Sequence, residues 1–327
     1  MVFAHDSLAV NAKGGTELMK FGLQSRIPED LLNEFQIFVS RVEEEPDETK
    51  VRIYWLHDLP GDPAADNLKN GGWNKFHKLV FASNWQMQAF ISHYNIPWSK
   101  CVVLQNAIEP IPHHEKPKDG TIRLAYWSTP HRGLNILVPV FDKLCEKYNN
   151  IELDVYSSFK LYGWEQRDQQ FEALFEACRN HPKINYHGSI PNGELRLNLE
   201  QTHILAYPSI WQETSCITLM EAMSAGLLCV HPNYGALYET AAGWTHMYQW
   251  HEDLNAHAHG FYQMLDTAIE NYRDEGMQSR IQSGAAYANV FYNWDFRKMQ
   301  WEALLRSLVD EPRELPKTSG QFFEYRT

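Results

Sequence analysis

From Ile122 onward, short apolar runs alternate with amphipathic segments of about 10 to 15 residues. IRLAYW (Ile122 to Trp127), IELDVYSS, INYHGSI and HILAYPS read as strands, while Leu134 to about Tyr148, FEALFEACRN and NGELRLNLEQ read as helices. A parallel pair of strands needs a crossover of a dozen or more residues, and a strand covered on both faces reads as an almost unbroken apolar run. The alternation therefore predicts βαβ units on a doubly wound parallel sheet.

The chain before this region is organised in the same way. MVFAHDS, FQIFVSR (Phe35 to Arg41), VRIYWL (Val51 to Leu56), Leu79 to Ala82 and CVVLQNA read as strands. Ser83 or Asn84 is placed to cap a helix running to about Tyr94. EPIPHHEKPKDG, dense in proline and charge, reads as a linker. A chain of 327 residues is long for one domain and comfortable for two. We expect a first domain over 1–112, a linker at 113–120, a second domain over 121–290, and a helix and tail over 291–327 that can return to the first domain. Helices are expected around Asn255 to Arg273, Gly276 to Val290 and Phe296 to Val309.

The formal net charge of −12 sets a long-range field that repels phosphate backbones and anionic lipid. Nucleic-acid binding is therefore not expected. A nucleotide can still bind, because a local cluster of amides and cations acts within the screening distance of about 10 Å. The aromatic share of 13% fits either a surface that stacks on sugars or a tryptophan-rich core. Five scattered cysteines without a C-x-x-C pair predict free thiols in a reducing compartment. We find no secretory signal and no apolar run long enough to span a bilayer, so a cytoplasmic location is expected, with no transmembrane segment. His113, His114 and Glu115 are adjacent in the linker and point in different directions, so no metal site is expected there.

The densest chemistry lies between Ile204 and Glu239, ILAYPSIWQETSCITLMEAMSAGLLCVHPNYGALYET. It reads as a buried strand, a loop, a helix capped by Thr214 or Ser215, a second buried strand and a turn. Glu213 then lies at the positive end of the helix, with Glu221 two turns in. Free amides at a helix start bind anions, and two nearby carboxylates accept hydrogen bonds from hydroxyls, a pairing that suits a nucleotide-sugar diphosphate. Gly14 and Gly15 precede a helical pattern, which fits either a close backbone approach to a phosphate or a tight turn. His57, with Asp58, ends the strand VRIYWL, where open α/β sheets place their chemistry; a loop-bonded histidine fits the same position. The G-x-G-x-x-G fingerprint of a dinucleotide-binding dehydrogenase is absent from the start of either sheet.

Taken in order, GGTE at Gly14 to Glu17, His57 and Asp58, FASNWQMQAF, PHRG, YHGSI, the E-x7-E pair Glu213 and Glu221, and GALYE at Gly235 to Glu239 resemble the retaining glycosyltransferases of family four. The resemblance covers nearly the whole chain. It implies the GT-B fold, two Rossmann-like doubly wound domains facing across a cleft. It also implies transfer of a sugar from a nucleotide-diphosphate donor, UDP- or GDP-linked, to a carbohydrate, lipid-linked or small-molecule hydroxyl.

By the same resemblance, Gly14 and Gly15 meet the donor diphosphate through their amides and Arg132 opposes its charge. Glu213 holds donor sugar hydroxyls, and Glu221 binds the ribose. Gly188, Ser189 and Ile190 lie along the base, and the amides of Thr214, Ser215, Cys216 and Ile217 face the sugar or phosphates. His57 approaches the reacting carbon. The family usually has Gly-Arg ahead of the basic residue and Gly-Phe-Gly between the acids. Here Trp127, Ser128 and Thr129 stand at the first place and Thr214, Ser215 and Cys216 at the second. The missing arginine predicts weaker neutralisation of the leaving group. No D-x-D stands near a predicted donor strand, so neither a metal nor a separate cofactor is expected; the nucleotide sugar is the substrate. The alternative is a non-catalytic nucleotide- or sugar-binding protein on the same fold.

Overall fold

A computed structural model describes residues 14–315. The strand expected in MVFAHDS lies outside the described residues. The chain forms two compact units, the first from 19–105 and 297–315, the second from 14–18 and 106–296. Helix α1 (Gly15–Gln24) passes from one to the other at Leu18.

The first unit carries α2 (Glu29–Leu32) and the strands β1 (Phe35–Val39), β2 (Val51–Leu56), β3 (Lys78–Phe81) and β4 (Cys101–Val103), with α3 (Asn84–Tyr94) crossing between the last two. The sheet is parallel throughout, in the order β1-β2-β3-β4. Each residue of β1 and β2 is buried, which is why these runs are apolar without alternation. Phe38, Tyr54, Phe76, Leu79, Phe81 and Phe90 form the core. Ser83 is the cap of α3, its Oγ accepting from Gln86 N at 3.0 Å.

The second unit follows the alternation seen in the sequence. β5 (Ile122–Trp127), α4 (Leu134–Lys147), β6 (Ile151–Tyr156), α5 (Glu172–Asn180), β7 (Ile184–Tyr186), α6 (Asn192–Asn198) and β8 (Ile204–Ala206) come first. α7 (Ile217–Ser224), β9 (Leu228–Pro232), α8 (Leu237–Ala241), β10 (His246–Tyr248), α9 (Leu254–Glu270) and α10 (Glu275–Phe291) follow. All strands are parallel, in the order β10-β9-β8-β5-β6-β7. The fold class is thus the expected α/β one, with two parallel sheets. β10 carries no apolar run of its own and was not anticipated; three residues paired with Val230 to Pro232 suffice to make it a strand. The chain enters the second unit at Asn106, ahead of the linker expected at 113–120.

The last helix, α11 (Trp294–Leu308), belongs from Arg297 onward to the first unit. There Trp301 packs edge-on against Trp55, their ring centroids 4.8 Å apart. Beyond it, Arg52 N donates to His77 Nδ1 at 2.9 Å, which leaves Nε2 as the donor to Pro312 O at 2.8 Å. Among the described residues no helix is long and apolar enough to cross a membrane.

Candidate active site

The second sheet reverses direction between β8 and β5: the chain lays β5, β6 and β7 outward on one side, then returns to lay β8, β9 and β10 on the other. Loops leaving the carboxyl ends of these two central strands must diverge, and the crevice they leave is where open α/β sheets bind ligands. Arg132 is on the loop after β5, and Glu213 on the loop after β8.

Two glycines let these loops close on one another. Gly133 has φ +121°, and a Cβ there would come within 2.2 Å of Pro208 O. Gly235 has φ +61°, and a Cβ there would come within 2.6 Å of Glu213 N and O. Glu213 is consequently pinned by its backbone, forming a parallel bridge with Gly235 and accepting from Ala236 N at 2.7 Å.

Glu213 is 5% exposed, and its side chain takes two hydrogen bonds on one oxygen. Arg132 Nη1 donates to its Oε1 at 2.8 Å, and Tyr207 OH donates to the same atom at 2.6 Å. Its Oε2 takes no hydrogen bond from the described residues. Burial opposes the Arg132 charge, but the adjoining Glu213 carboxylate more than offsets it and holds the guanidinium proton well above its usual range. Burial, reinforced by the Glu213 charge, likewise pushes Tyr207 well above the usual phenol range. Ser128 Oγ is 3.5 Å from Tyr207 OH.

An aromatic wall borders this pair. His131 stacks on Phe159 at 5.2 Å between centroids and meets Trp211 edge-on at 5.0 Å. The Arg132 guanidinium carbon is 5.9 Å from the Trp211 ring centre, within cation–π range. Burial and the neighbouring Arg132 charge push His131 down to about 4, so its ring is neutral at physiological pH. Tyr162, from the polar insertion after β6, approaches Gly14: a Cβ on Gly14 would meet its ring at 2.4 Å. A Cβ on Gly15 would lie 3.0 Å from Ile217 Cδ1. Gly15 is therefore brought against the first residue of α7, and Gly14 against Tyr162.

The helix begins later than expected. Its N-cap is Cys216, with no side-chain cap bond, so neither Thr214 nor Ser215 caps it and Glu221 lies about one turn in. The bridge at Gly235 keeps the backbone extended at Glu213, and the chain becomes helical only at Ile217. Ser215 O accepts from Asn106 Nδ2 at 3.4 Å, and Cys216 is buried. The Ile217 side chain at the start of α7 thus meets Gly15.

Glu221 is 4% exposed and already partnered. Arg196 Nη1 and Asn192 Nδ2 each donate to its Oε1 at 3.1 Å. Burial pushes its carboxyl up, against the opposing pull of Arg196 and Asn192. Gly188, Ser189 and Ile190 connect β7 to the helix that supplies both partners, with Gly188 in the left-handed region at φ +65°. Arg196 and Asn192 escaped sequence reasoning; their signal is i, i+4 spacing on one face of α6. Tyr207, at the carboxyl end of β8, was also missed.

His57 belongs to the first unit, at the carboxyl end of β2. Buried Gln86 secures that strand end, its Nε2 donating to Leu56 O at 3.3 Å and Asp58 O at 2.8 Å. The His57 ring packs at 4.7 Å on Trp55, and burial pushes it down to about 3, so it is neutral at physiological pH. Burial, then Asp62, pushes the Asp58 carboxyl up to about 6, opposed by Arg41 and Ser40. A raised carboxyl pKa favours the folded state at low pH, and that contribution is lost as pH rises from about 4 through 6. Asp58→Asn is expected to be more stable than the parent at pH 7.5 by about 1–3 kcal/mol and equal to it below pH 4. Urea unfolding at both pH values measures this, and an unchanged pH slope in the variant refutes it.

Residues 115–259 match the family described as Glycosyl transferases group 1. A glycosyltransferase from Rickettsia africae superposes with a TM-score of 0.68 over 94% of this chain and 84% of its own, at 13% identity. The Anabaena protein HepE, crystallised with UDP and glucose, gives 0.64 over 89% of this chain and 82% of its own, at 15% identity. A curated relative, one of the subunits of the phosphatidylinositol N-acetylglucosaminyltransferase of Arabidopsis thaliana, is 28% identical over 117 residues, 36% of this chain. The chain matches about a quarter of that relative's length, 24%. Arg132, Glu213 and Glu221 therefore lie within the part of the chain that matches the group 1 glycosyltransferase model, and the chain has the GT-B fold.

Proposed function

We propose that the protein is a retaining, metal-independent glycosyltransferase of family four that moves a hexosyl or related sugar from a UDP- or GDP-sugar to a hydroxyl acceptor. The observation that carries this reading is the Arg132–Glu213–Tyr207 cluster at the strand-order reversal, with Gly15 against the first residue of α7 and Gly14 against Tyr162. Arg132 and the backbone amides of Thr214 to Ile217 supply positive charge to the diphosphate. Glu213, fixed through Oε1, offers Oε2 to the donor sugar hydroxyls. Glu221, with Gly188 to Ile190 nearby in the chain through α6, binds the nucleoside end. His57 is a neutral hydrogen-bonding group toward the reacting carbon.

In the reaction, the bond between the anomeric carbon and the diphosphate oxygen breaks, and its electron pair stays on the diphosphate. The acceptor oxygen bonds to the same face of the sugar while its proton passes to the departing phosphate oxygen. Fixed donors that stabilise charge as it develops contribute most to such a step. The two carboxylates hold hydroxyls and are not a glycosidase-type acid/base pair.

The test is a screen of UDP-, GDP- and ADP-sugars by thermal shift, followed by donor turnover with and without EDTA. A donor at 100 times its dissociation constant is expected to stabilise by about 2.7 kcal/mol. Turnover should survive EDTA and fall at least tenfold in Glu213→Gln. Binding without turnover of any donor would instead assign the chain as a nucleotide-sugar-binding protein.

A further inference from the structure

The segment 113–122, the C-terminal end of α7, the residues just after α9, and α10 enclose a cavity of about 790 Å³. It shares no lining residue with the donor site described above. Ser224 ties its walls together: Ile111 N donates to Ser224 Oγ at 2.8 Å, and that hydroxyl donates to Asn289 Oδ1 at 2.5 Å. Ile122, Tyr272 and Ile281 give the cavity apolar surface.

Lys116 lines this cavity, and its Nζ donates to His114 Nε2 and to Leu199 O, both at 2.8 Å. The Nδ1 of His114 is 3.0 Å from Pro112 O, so the proton is on Nδ1 and Nε2 is the acceptor for the lysine. Both acceptors are neutral. Glu200 favours the Lys116 charge at longer range, but no carboxylate forms an ion pair with Lys116 among the described residues. Arg273, also on the wall, has none among them either. Lys118 is engaged by Glu115 at 2.6 Å. Burial pushes the Lys116 ammonium down to about 7, as expected where a cation lacks a counter-charge. Two cations without carboxylate partners beside an apolar cavity are completed by a ligand that brings both an anion and an apolar body.

We propose that this cavity binds a small amphipathic anion, its carboxylate or phosphate monoester on Lys116 and Arg273 and its apolar body against Ile122, Tyr272 and Ile281. Calorimetric titration of the full chain with octyl phosphate, octanoate and 1-octanol tests it. The anionic probes should bind one per chain, at least tenfold more tightly than octanol, and with excess UDP leaving their affinity unchanged. Lys116→Met should weaken octyl phosphate at least tenfold and Lys116→Arg less than threefold. Ala285→Trp, which fills the cavity without touching either cation, should abolish binding of all three probes and serves if Lys116→Met fails to fold. Equal affinity for octanol and octyl phosphate, competition by UDP, no measurable binding, or full affinity in Lys116→Met or Ala285→Trp overturns the proposal.

Discussion

Arg132→Ala is expected to lower sugar transfer by about 10²–10³-fold, the usual effect of removing one fixed donor that stabilises a developing anion. The same change strands Glu213, whose side chain is 7% exposed, with only the Tyr207 hydroxyl on its bonded oxygen. Removing one member of a buried ion pair costs about 3–5 kcal/mol, so the single variant should also melt earlier. The double variant Arg132→Ala with Glu213→Gln separates the two effects. A glutamine oxygen still accepts from Tyr207, and no charge is left unpaired. Stability is expected to recover while transfer stays well below that of Glu213→Gln alone. Transfer equal to that of Glu213→Gln alone, together with recovered stability, would show that Arg132 serves the fold alone, and single-turnover rates beside thermal melts distinguish these results.

Arg196→Met is expected to destabilise the protein by about 3–5 kcal/mol, because Glu221 is left buried beside Asn192 alone. Arg196 Nη2 also bonds Glu109 O at 2.6 Å, so the segment before β5 should loosen as well. Pairing the change with Glu221→Leu removes the orphaned charge, and the double variant should return to within about 1 kcal/mol of the parent or exceed it. Nucleotide binding is expected to stay weak in that double variant, since the carboxylate assigned to the ribose is gone. Denaturant unfolding gives the first quantity and calorimetry with UDP the second. Full nucleotide affinity in the stable double variant would leave Glu221 as a structural residue only.

The strands that were easiest to read were those buried on both faces. β2 and β5 begin and end at the residues expected, since continuous apolar runs have only one environment that suits them. β10 was missed because its three residues are a strand only through pairing with β9. The start of α7 was misplaced for a related reason. Thr214 and Ser215 are good capping residues in isolation, but the bridge between Glu213 and Gly235 fixes the backbone just before them, the chain bends at both, and the helix starts only at Ile217. Local propensity yields where a tertiary contact fixes the backbone.

The site residues divide in the same way. Glu213 and Glu221 stand out in the sequence as two acids around a helix start, and Arg132 through the family resemblance. Their partners do not. Arg132 reaches Glu213 across a separation of 81 residues and Arg196 reaches Glu221 across 25. Tyr207 is an ordinary strand-end tyrosine until the loop turns Glu213 back onto it.

Periodicity and residue chemistry, read along the chain, determined the α/β class, the parallel sheets and the two acids around a helix start, while Arg132 entered through the family resemblance. Only the tertiary structure decided which of these groups meet, that Glu213 has one oxygen without a hydrogen bond from the described residues while Glu221 is held by Arg196 and Asn192, and that Lys116 lines a cavity without an ion-pair partner among the described residues. Burial pattern and turn chemistry act over a few neighbouring residues and leave their trace in the sequence. Ion pairs and cavities depend on strand order and on where loops approach within an ångström, as at Gly133 and Gly235, and no local pattern encodes those distances.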